Sequence, residues 1–200
     1  MRLSIHPEHP EPHKIARTVE ILRRGGVIAY PTDTVYGLGC DIFDKRAVDR
    51  LYSIKRIDKD HPLAFVCPDL SDIARFAVVE DRSYRLMRRL LPGPYCFILP
   101  ATREVPKIMM MKKKTIGIRV PKHAVAHALV LELGHPIVST SATWQGEQLD
   151  DPADIADRFP GLDVILDAGW LGSVPSTVID LTGPGPIIQR KGAGPVEDVA

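Results

Sequence analysis

The chain has 200 residues, of which 44% are hydrophobic, and this is enough apolar material for one compact domain with a single core. Its 26 basic and 25 acidic residues leave a net charge of +1, which by itself excludes a strongly basic or strongly acidic protein. The charge is unevenly distributed, however. There are 23 basic and 14 acidic residues up to Val125, and 3 basic and 11 acidic residues after it. We therefore expect a basic binding side and an acidic, solvated side.

Membrane and secreted proteins are excluded by the apolar runs and the cysteines. No apolar run approaches the ~20 residues that span a bilayer, and the first 13 residues lack the apolar core of a signal peptide. The three cysteines Cys40, Cys67 and Cys96 are widely spaced within apolar runs, which favours buried free thiols over a disulfide or metal site. We predict a cytoplasmic protein with no membrane partner.

Helical patterns occur at four places along the chain. After a lead-in over residues 1–13, which we expect to be loosely structured, Ile15, Val19 and Leu22 recur at helical spacing before Gly25. A second helix begins after Asp44, a favourable N-cap residue. The other two helices are predicted around residues 81–91 and 123–134.

Short apolar runs predict strands between these helices. The predicted strands cover residues 27–30, 63–67, 95–99, 116–120, 136–140, 163–167, 176–181 and 186–190. Residues 144–157 read as a mobile surface loop leading into an acidic helix. Helices that alternate with strands, followed by several strands close together, predict an α/β fold with a mixed twisted sheet in one domain, residues 1–200.

The loop PTDTVYGLG, residues 31–39, follows the first predicted strand directly. Its hydroxyls, carboxylate and glycines can bind a small polar ligand at the end of a strand, or they can simply form a turn. A glycine-rich phosphate loop of the usual kind is absent from the chain. A nucleotide would have to be held in another way.

Lys55 and Arg56 lie at the end of the second predicted helix. Cations there can offset the helix dipole, but an ammonium beside a guanidinium also suits a triphosphate. Arg119 lies inside an apolar strand, where its charge must reach solvent or meet an anion such as a ligand carboxylate. Ser139–Thr143 places four hydroxyls after another strand. No nucleophile elbow surrounds them, so ligand binding or capping is favoured over serine hydrolysis.

Two further clusters have alternative interpretations. His123 and His127 are four residues apart, but no third ligand lies nearby in the sequence, so we assign no metal site. A lysine run precedes the Arg119 strand, and several arginines lie on the third predicted helix. These groups are either solvated or part of a nucleic-acid-binding face, and the RNA-binding candidates are Lys112, Lys113, Lys114, Arg88 and Arg89.

Six motifs in this order resemble the YrdC/YciO family over nearly the whole chain. They are PTDTVYGLG at 31–39, PGPYCFIL at 92–99, TIGIRVP at 115–121, STSA at 139–142, PSTVID at 175–180 and Arg190-x-Gly192. The resemblance implies a YrdC-like open twisted mixed sheet with flanking helices and a positively charged concave face. It also implies the activity of a threonylcarbamoyl-AMP synthase, which converts L-threonine, bicarbonate and ATP with Mg²⁺ into threonylcarbamoyl-AMP and pyrophosphate. That product serves tRNA modification.

The resemblance also implies which residues bind the ligands. Arg119 is expected to face the carboxylate of threonine, and Lys55 is expected to bind phosphate. The full substrate-side group is Thr32, Thr34, Arg119, Ser139 and Ser176. The full nucleotide-side group is Lys55, Arg56, Ser141, Thr143 and Arg190.

Two departures from the synthase pattern resemble the YciO branch of the family. Synthases have Lys-x-Arg and Ser-x-Asn, whereas this chain has Lys55-Arg56-Ile57 and Ser141-Ala142-Thr143. A shift of one residue on a helix turns a side chain by about 100°, and Thr143 lacks the amide donors of asparagine. The alternative to a synthase is a non-catalytic protein that binds double-stranded or ribosomal RNA on its basic concave face.

Overall fold

The computed structural model describes residues 1–59, 61–71, 73–106, 114–172 and 174–199. The helices are α1 (Pro12–Arg23), α2 (Lys45–Lys55), α3 (Ile73–Phe76), α4 (Asp81–Leu90), α5 (Ala124–Leu133) and α6 (Pro152–Arg158), with a 3₁₀ turn at Glu197–Val199. The strands are β1 (Arg2–Ser4), β2 (Ile28–Tyr30), β3 (Gly37–Asp41), β4 (Ala64–Val66), β5 (Tyr95–Pro100), β6 (Thr115–Arg119), β7 (Ile137–Ser141), β8 (Thr143–Trp144), β9 (Glu147–Gln148), β10 (Val164–Asp167), β11 (Thr177–Asp180) and β12 (Ile187–Arg190).

One large mixed sheet runs through the described part of the chain. Its ten strands have the order β1-β10-β2-β3-β7-β4-β6-β5-β11-β12. The pairs β1–β10, β10–β2, β4–β6 and β5–β11 are parallel, and the other neighbours are antiparallel. Strands β8 and β9 form a separate hairpin. The predicted α/β fold with a mixed sheet is confirmed.

The helices begin and end where the local sequence favours it. The carboxylate of Asp44 accepts hydrogen bonds from two backbone N–H groups in the first turn of α2, as an N-cap does. Gly25 and Gly134 follow α1 and α5 with φ of +81° and +84°. This left-handed conformation carries little strain in glycine. Among the described residues, no helix is long and apolar enough to span a membrane.

The two faces of the sheet are covered unequally. Helices α2, α4 and α6 bury one face against side chains that include Phe65, Phe97 and Ile118. On the other face, α1 and α5 pack on side chains such as Val66 and Ile137. These two helices cover only part of their face. Strands β5, β6 and β11 carry fully buried residues alternating with half-buried ones, so this part of the second face is open.

Three segments differ from the predictions. The lead-in is not loosely structured, because Arg2–Ser4 pairs in parallel with β10 and α1 already begins at Pro12. The end of the 31–39 loop is a buried central strand, β3. Its composition, GLGCD, lacks the β-branched residues that mark strands. The predicted mobile loop over residues 144–157 contains most of the β8–β9 hairpin, with Gly146 at its tip at a positive φ, and the predicted helix follows as α6.

Candidate functional site

A pocket of about 300 Å³ lies on the open part of the second face. Strand alternation aims one side chain in two at this pocket, while the intervening residues enter the core. The lining residues include Cys96 and Ile98 of β5, Arg119 of β6, Ser139 and Ser141 of β7, and Val178 of β11. The sheet therefore assembles the pocket from sequence segments that lie far apart.

Arg119 meets an anion, and that anion belongs to the protein. Its Nη2 lies 2.9 Å from Oδ1 of Asp33, and the two side chains are only 12% and 9% exposed. The backbone N–H of Lys122 donates to the other oxygen of Asp33 at 3.0 Å. Arg119 Nη2 also donates to Thr34 Oγ1 at 3.2 Å. Its Nε is buried and has no hydrogen-bond partner in the structure, so the protein itself does not use every donor of the guanidinium.

The predicted substrate-side hydroxyls lie together beside Arg119. Thr32 Oγ1 donates to the carbonyl of Val35 at 2.6 Å and accepts from the backbone N–H of Thr34 at 3.2 Å. The hydroxyl of Thr34 lies 3.4 Å from that of Ser176. All three hydroxyl residues are buried. Local hydrogen bonds therefore fix the hydroxyl of Thr32, while that of Thr34 lies next to Ser176, just before β11.

Ser139, the remaining substrate-side residue, is held by a tyrosine that the sequence analysis assigned only to a core strand. The Tyr30 hydroxyl donates to Ser139 Oγ at 2.7 Å, and burial raises the pKa of Tyr30 to about 12, so the phenol keeps its proton. Gly37 lies directly alongside the Tyr30–Ser139 pair. A Cβ there would be 2.9 Å from Ser139 Oγ and 3.0 Å from the Tyr30 ring, so only glycine permits this close approach.

Lys55 reaches the pocket wall from the end of α2. Its Nζ donates to the carbonyl and hydroxyl oxygens of Thr143, which lines the pocket. The ammonium also lies 5.5 Å from the Phe159 ring centroid. Burial lowers the pKa of Lys55 to about 8. The ammonium is thus a largely desolvated cation whose hydrogen bonds go to Thr143.

Arg56 and Arg190 occupy different environments. Arg56 has a φ of +56° at the C-terminus of α2, and its guanidinium stacks 4.9 Å from the Trp144 ring, away from the pocket lining. Arg190 lines the pocket, and its Nε and Nη2 donate to the carbonyl of Ser176 at 3.3 and 2.8 Å. The structure therefore brings Arg190 to the site and turns Arg56 toward an indole.

The RNA-binding candidates that the structure describes, Lys114, Arg88 and Arg89, do not line the pocket. Lys112 and Lys113 are outside the described residues, and Lys114 is exposed just before β6. Arg88 and Arg89 are exposed on α4. The buried side of α4 packs in the core that contains Phe97 of β5. Cys96 and Ile98, on either side of Phe97 in the sequence, point to the opposite face of the sheet and line the pocket. The interpretation of these arginines as part of the concave face is wrong, because α4 covers the opposite face of the sheet.

Gln148 and His61 are polar pocket residues that the sequence did not single out. Gln148 lines the pocket, and its Oε1 is buried without a hydrogen-bond partner in the structure. His61 also lines the pocket, where burial and the charge of Lys55 lower its pKa and favour the neutral ring. Each stands in a polar loop sequence with no motif around it. Only the folded chain brings them to the wall.

Among the described residues, neither the three cysteines nor His123 and His127 belong to a group that could hold a metal ion. Cys40, Cys67 and Cys96 form no disulfide, and Cys40 and Cys67 are buried as predicted. Cys96 differs from the prediction, because it is only half-buried and lines the pocket. His123 accepts a hydrogen bond from the backbone N–H of Val125 and so caps α5. No group of three or more His, Cys, Asp or Glu side chains among the described residues is placed to hold a metal ion.

Comparison with known proteins identifies close relatives of the whole chain. The Sua5/YciO/YrdC family model, described as "Telomere recombination", matches residues 20–192. YciO of Escherichia coli K12 is 44% identical over 197 residues, which cover 96% of each protein. The crystal structure of E. coli YciO superposes with a TM-score of 0.96, covering 100% of this chain and 99% of that one, at 42% identity.

Two threonylcarbamoyl-AMP synthases are also similar. The Chromobacterium violaceum enzyme is 38% identical over 179 residues, which cover 88% of this chain and 92% of the enzyme. The Pyrococcus abyssi enzyme is 33% identical over 196 residues, which cover 96% of this chain and 58% of the enzyme. The crystal structure of P. abyssi Sua5 complexed with L-threonine has a TM-score of 0.93 at 30% identity, covering 100% of this chain and 59% of that one.

Proposed function

Because the chain belongs to the Sua5/YciO/YrdC family, we propose that it is a YciO-type synthase of threonylcarbamoyl-AMP. In this proposal the pocket binds L-threonine and ATP, and bicarbonate supplies the carbamoyl carbon. The products are threonylcarbamoyl-AMP and pyrophosphate. The similarity to two synthases over most of this chain supports the proposal, as does the likeness to a Sua5 structure complexed with L-threonine.

The observation that carries the proposal is the unpartnered Nε of Arg119. A buried guanidinium donor that lacks an acceptor fits a carboxylate of the ligand, since charged hydrogen bonds of this kind are strong. The hydroxyls of Thr34 and Ser176 lie next to it and suit the polar groups of a small amino acid. We assign the α-carboxylate of L-threonine to Arg119 and the rest of the amino acid to these hydroxyls and Ser139.

The nucleotide is assigned to the other end of the pocket. Lys55 approaches that end through Thr143, and Ser141 lines the wall there. Arg190 also lines the pocket but contacts the carbonyl of Ser176, so we assign it to phosphate where the two ligands meet. An ammonium and a guanidinium neutralise phosphate charge. Mg²⁺ would arrive on the phosphates of ATP, since no cluster of possible metal ligands occurs in the described chain.

The proposed reaction places two ligands end to end. The amine of threonine forms a C–N bond with the carbon of bicarbonate, and water leaves. An oxygen of the resulting carbamate then forms a bond with the α-phosphorus of ATP as the bond to pyrophosphate breaks. Holding the two reactants in a reactive geometry accounts for much of the rate of a reaction of this kind. The role of Arg119 and the hydroxyls is to orient the carbamate, and that of Lys55 and Arg190 is to hold phosphate charge. We place the product in threonylcarbamoyl transfer to tRNA.

A pyrophosphate-release assay tests the proposal. With Mg-ATP and bicarbonate, we expect release only when L-threonine is present, and the product should have the mass of threonylcarbamoyl-AMP. Arg119→Gln should abolish most of the activity, whereas Arg88→Gln, the same change on the opposite face of the sheet, should leave it intact. Threonine-independent release, or none, would contradict the proposal.

Non-catalytic RNA binding is the alternative, and the exposed basic residues of α4 are the feature that favours it. Binding to duplex RNA through phosphates should weaken steeply with salt. Neutralising Lys114, Arg88 and Arg89 together should then weaken binding in a fluorescence-anisotropy titration. Retention of full RNA affinity by this triple variant would exclude those residues as the interface.

A further inference from the structure

Gln148 occupies a fixed position at one end of the pocket. It pairs with Thr143 across the β8–β9 hairpin, and the backbone N–H of Leu149 closes the hairpin by donating to the carbonyl of Ala142 at 2.8 Å. The two tip residues, Gln145 and Gly146, have φ of 51° and 90°, as a two-residue turn between twisted strands requires. The short hairpin therefore holds the Gln148 side chain at the pocket wall.

The side chain of Gln148 carries an acceptor that the protein does not use. Its Oε1 is buried and has no hydrogen-bond partner in the structure. Buried polar atoms are nearly always paired, and an unpaired one destabilises the protein unless something else satisfies it. Because Gln148 lines the pocket, a ligand with an N–H or O–H donor can satisfy this oxygen once the side chain turns it toward the cavity.

The sheet register locates this acceptor along the pocket. Val66 of β4 pairs with Arg119 of β6 on one side and with Ile137 of β7 on the other, so Arg119 and Ile137 lie at the same level of the sheet. Thr143 follows Ile137 by six residues, or about 20 Å of extended chain. Thr143 is the residue held by Lys55. Gln148 therefore lies at the Lys55 end of the pocket, where the proposed function places phosphate. Arg119, to which we assigned the carboxylate, is at the opposite end.

We propose that Gln148 is a specificity residue for the nucleotide, and that its Oε1 accepts a hydrogen bond from a ribose hydroxyl or from the amino group of the base. This inference rests on the proposed function, because that function places a nucleotide at the Lys55 end. In both cases Oε1 accepts a hydrogen bond from the ligand. A ligand that presents only hydrogen-bond acceptors at this position would not fit.

The first test is calorimetric titration of the whole protein with ATP, 2′-deoxy-ATP, 3′-deoxy-ATP and purine riboside triphosphate, which lacks the 6-amino group. For the wild-type protein we expect one analogue to bind about tenfold more weakly than ATP, which identifies the donor. Gln148→Leu should bind ATP about tenfold more weakly and should no longer distinguish ATP from that analogue. Gln189→Leu, the same change at an exposed position on β12, should behave as the wild-type protein does.

Thermal unfolding without nucleotide is the second readout. Replacing an unpaired buried amide by an apolar side chain of similar size should leave the Tm of Gln148→Leu equal to the wild-type value or higher. A purely structural glutamine would instead lower Tm on replacement and leave nucleotide discrimination unchanged, and that result would overturn the inference.

The remaining outcomes separate this inference from the proposed function. If the wild-type protein binds ATP and Gln148→Leu binds it equally well, the inference fails and the proposed function stands. An equal loss of affinity for ATP and every analogue would also contradict a donor-specific contact. If the wild-type protein binds no nucleotide, both are overturned.

Discussion

The carboxylate of Asp33 lies 2.9 Å from Nη2 of Arg119 in a site where both side chains are almost inaccessible to solvent. The pair joins the 31–39 loop to the end of β6, and the backbone N–H of Lys122 donates a second hydrogen bond to Asp33. A buried guanidinium is therefore neutralised and oriented before any ligand enters. Its Nε has no hydrogen-bond partner in the structure.

We expect Asp33→Asn to destabilise the protein by about 3 kcal/mol, because it leaves the buried charge of Arg119 without a counterion. Denaturant unfolding measures the loss. The double variant Asp33→Asn/Arg119→Met should recover part of it, since no unpaired charge remains. A single variant as stable as the wild-type protein would show that the pair contributes nothing to stability.

Gly37→Ala should disturb the pocket without changing any charge. The added Cβ would lie 2.9 Å from Ser139 Oγ, so either the serine or the Tyr30 ring must move. We expect a loss of about 1–3 kcal/mol in unfolding free energy and weaker L-threonine binding by calorimetry. Gly183→Ala, where a Cβ would meet nothing within 4 Å, is the control. Unchanged affinity of Gly37→Ala for L-threonine would show that Ser139 does not take part in binding it.

The lowered pKa of Lys55, about 8 against an ordinary 10.5, predicts two opposite pH effects. The unfolded chain keeps the lysine proton up to higher pH than the folded chain, so the contribution of Lys55 to stability should rise between pH 8 and 10.5. Affinity for ATP should fall over the same range because the ammonium is lost. Lys55→Arg should keep its charge and show no such fall. Pyrophosphate release and calorimetry at pH 7 and 9.5 measure the difference.

His135 predicts a pH dependence of the opposite sign. Burial lowers its pKa, but the ion pair with Asp41, at 3.4 Å, outweighs this effect and leaves the pKa raised above 6.5. The pair therefore stabilises the fold below pH 6.5, and the stabilisation is lost as pH rises through the raised pKa. Unfolding free energies at pH 5.5 and 8.5 should differ less in His135→Gln than in the wild-type protein. Equal differences would show that another group controls this range.

Apolar periodicity and capping residues predicted most of the secondary structure. Asp44 and Gly134 mark helix ends by local hydrogen bonding and backbone conformation, which depend only on neighbouring residues. The β3 strand was missed because its glycines are there for close packing against Tyr30 and Ser139, and that packing comes from segments far away in the sequence. Likewise, the pairing of Arg2–Ser4 with β10 has no local signal.

The residue types alone established that hydroxyls and cations follow the ends of several strands, and that the Arg119 charge needs an anion. Strand order then decided which of these groups meet. It placed Asp33 against Arg119 and Thr143 against Lys55, while α4 carried Arg88 to the other face of the sheet. Side-chain chemistry is a property of each residue, whereas a shared site depends on long-range strand pairing, which only the tertiary structure specifies.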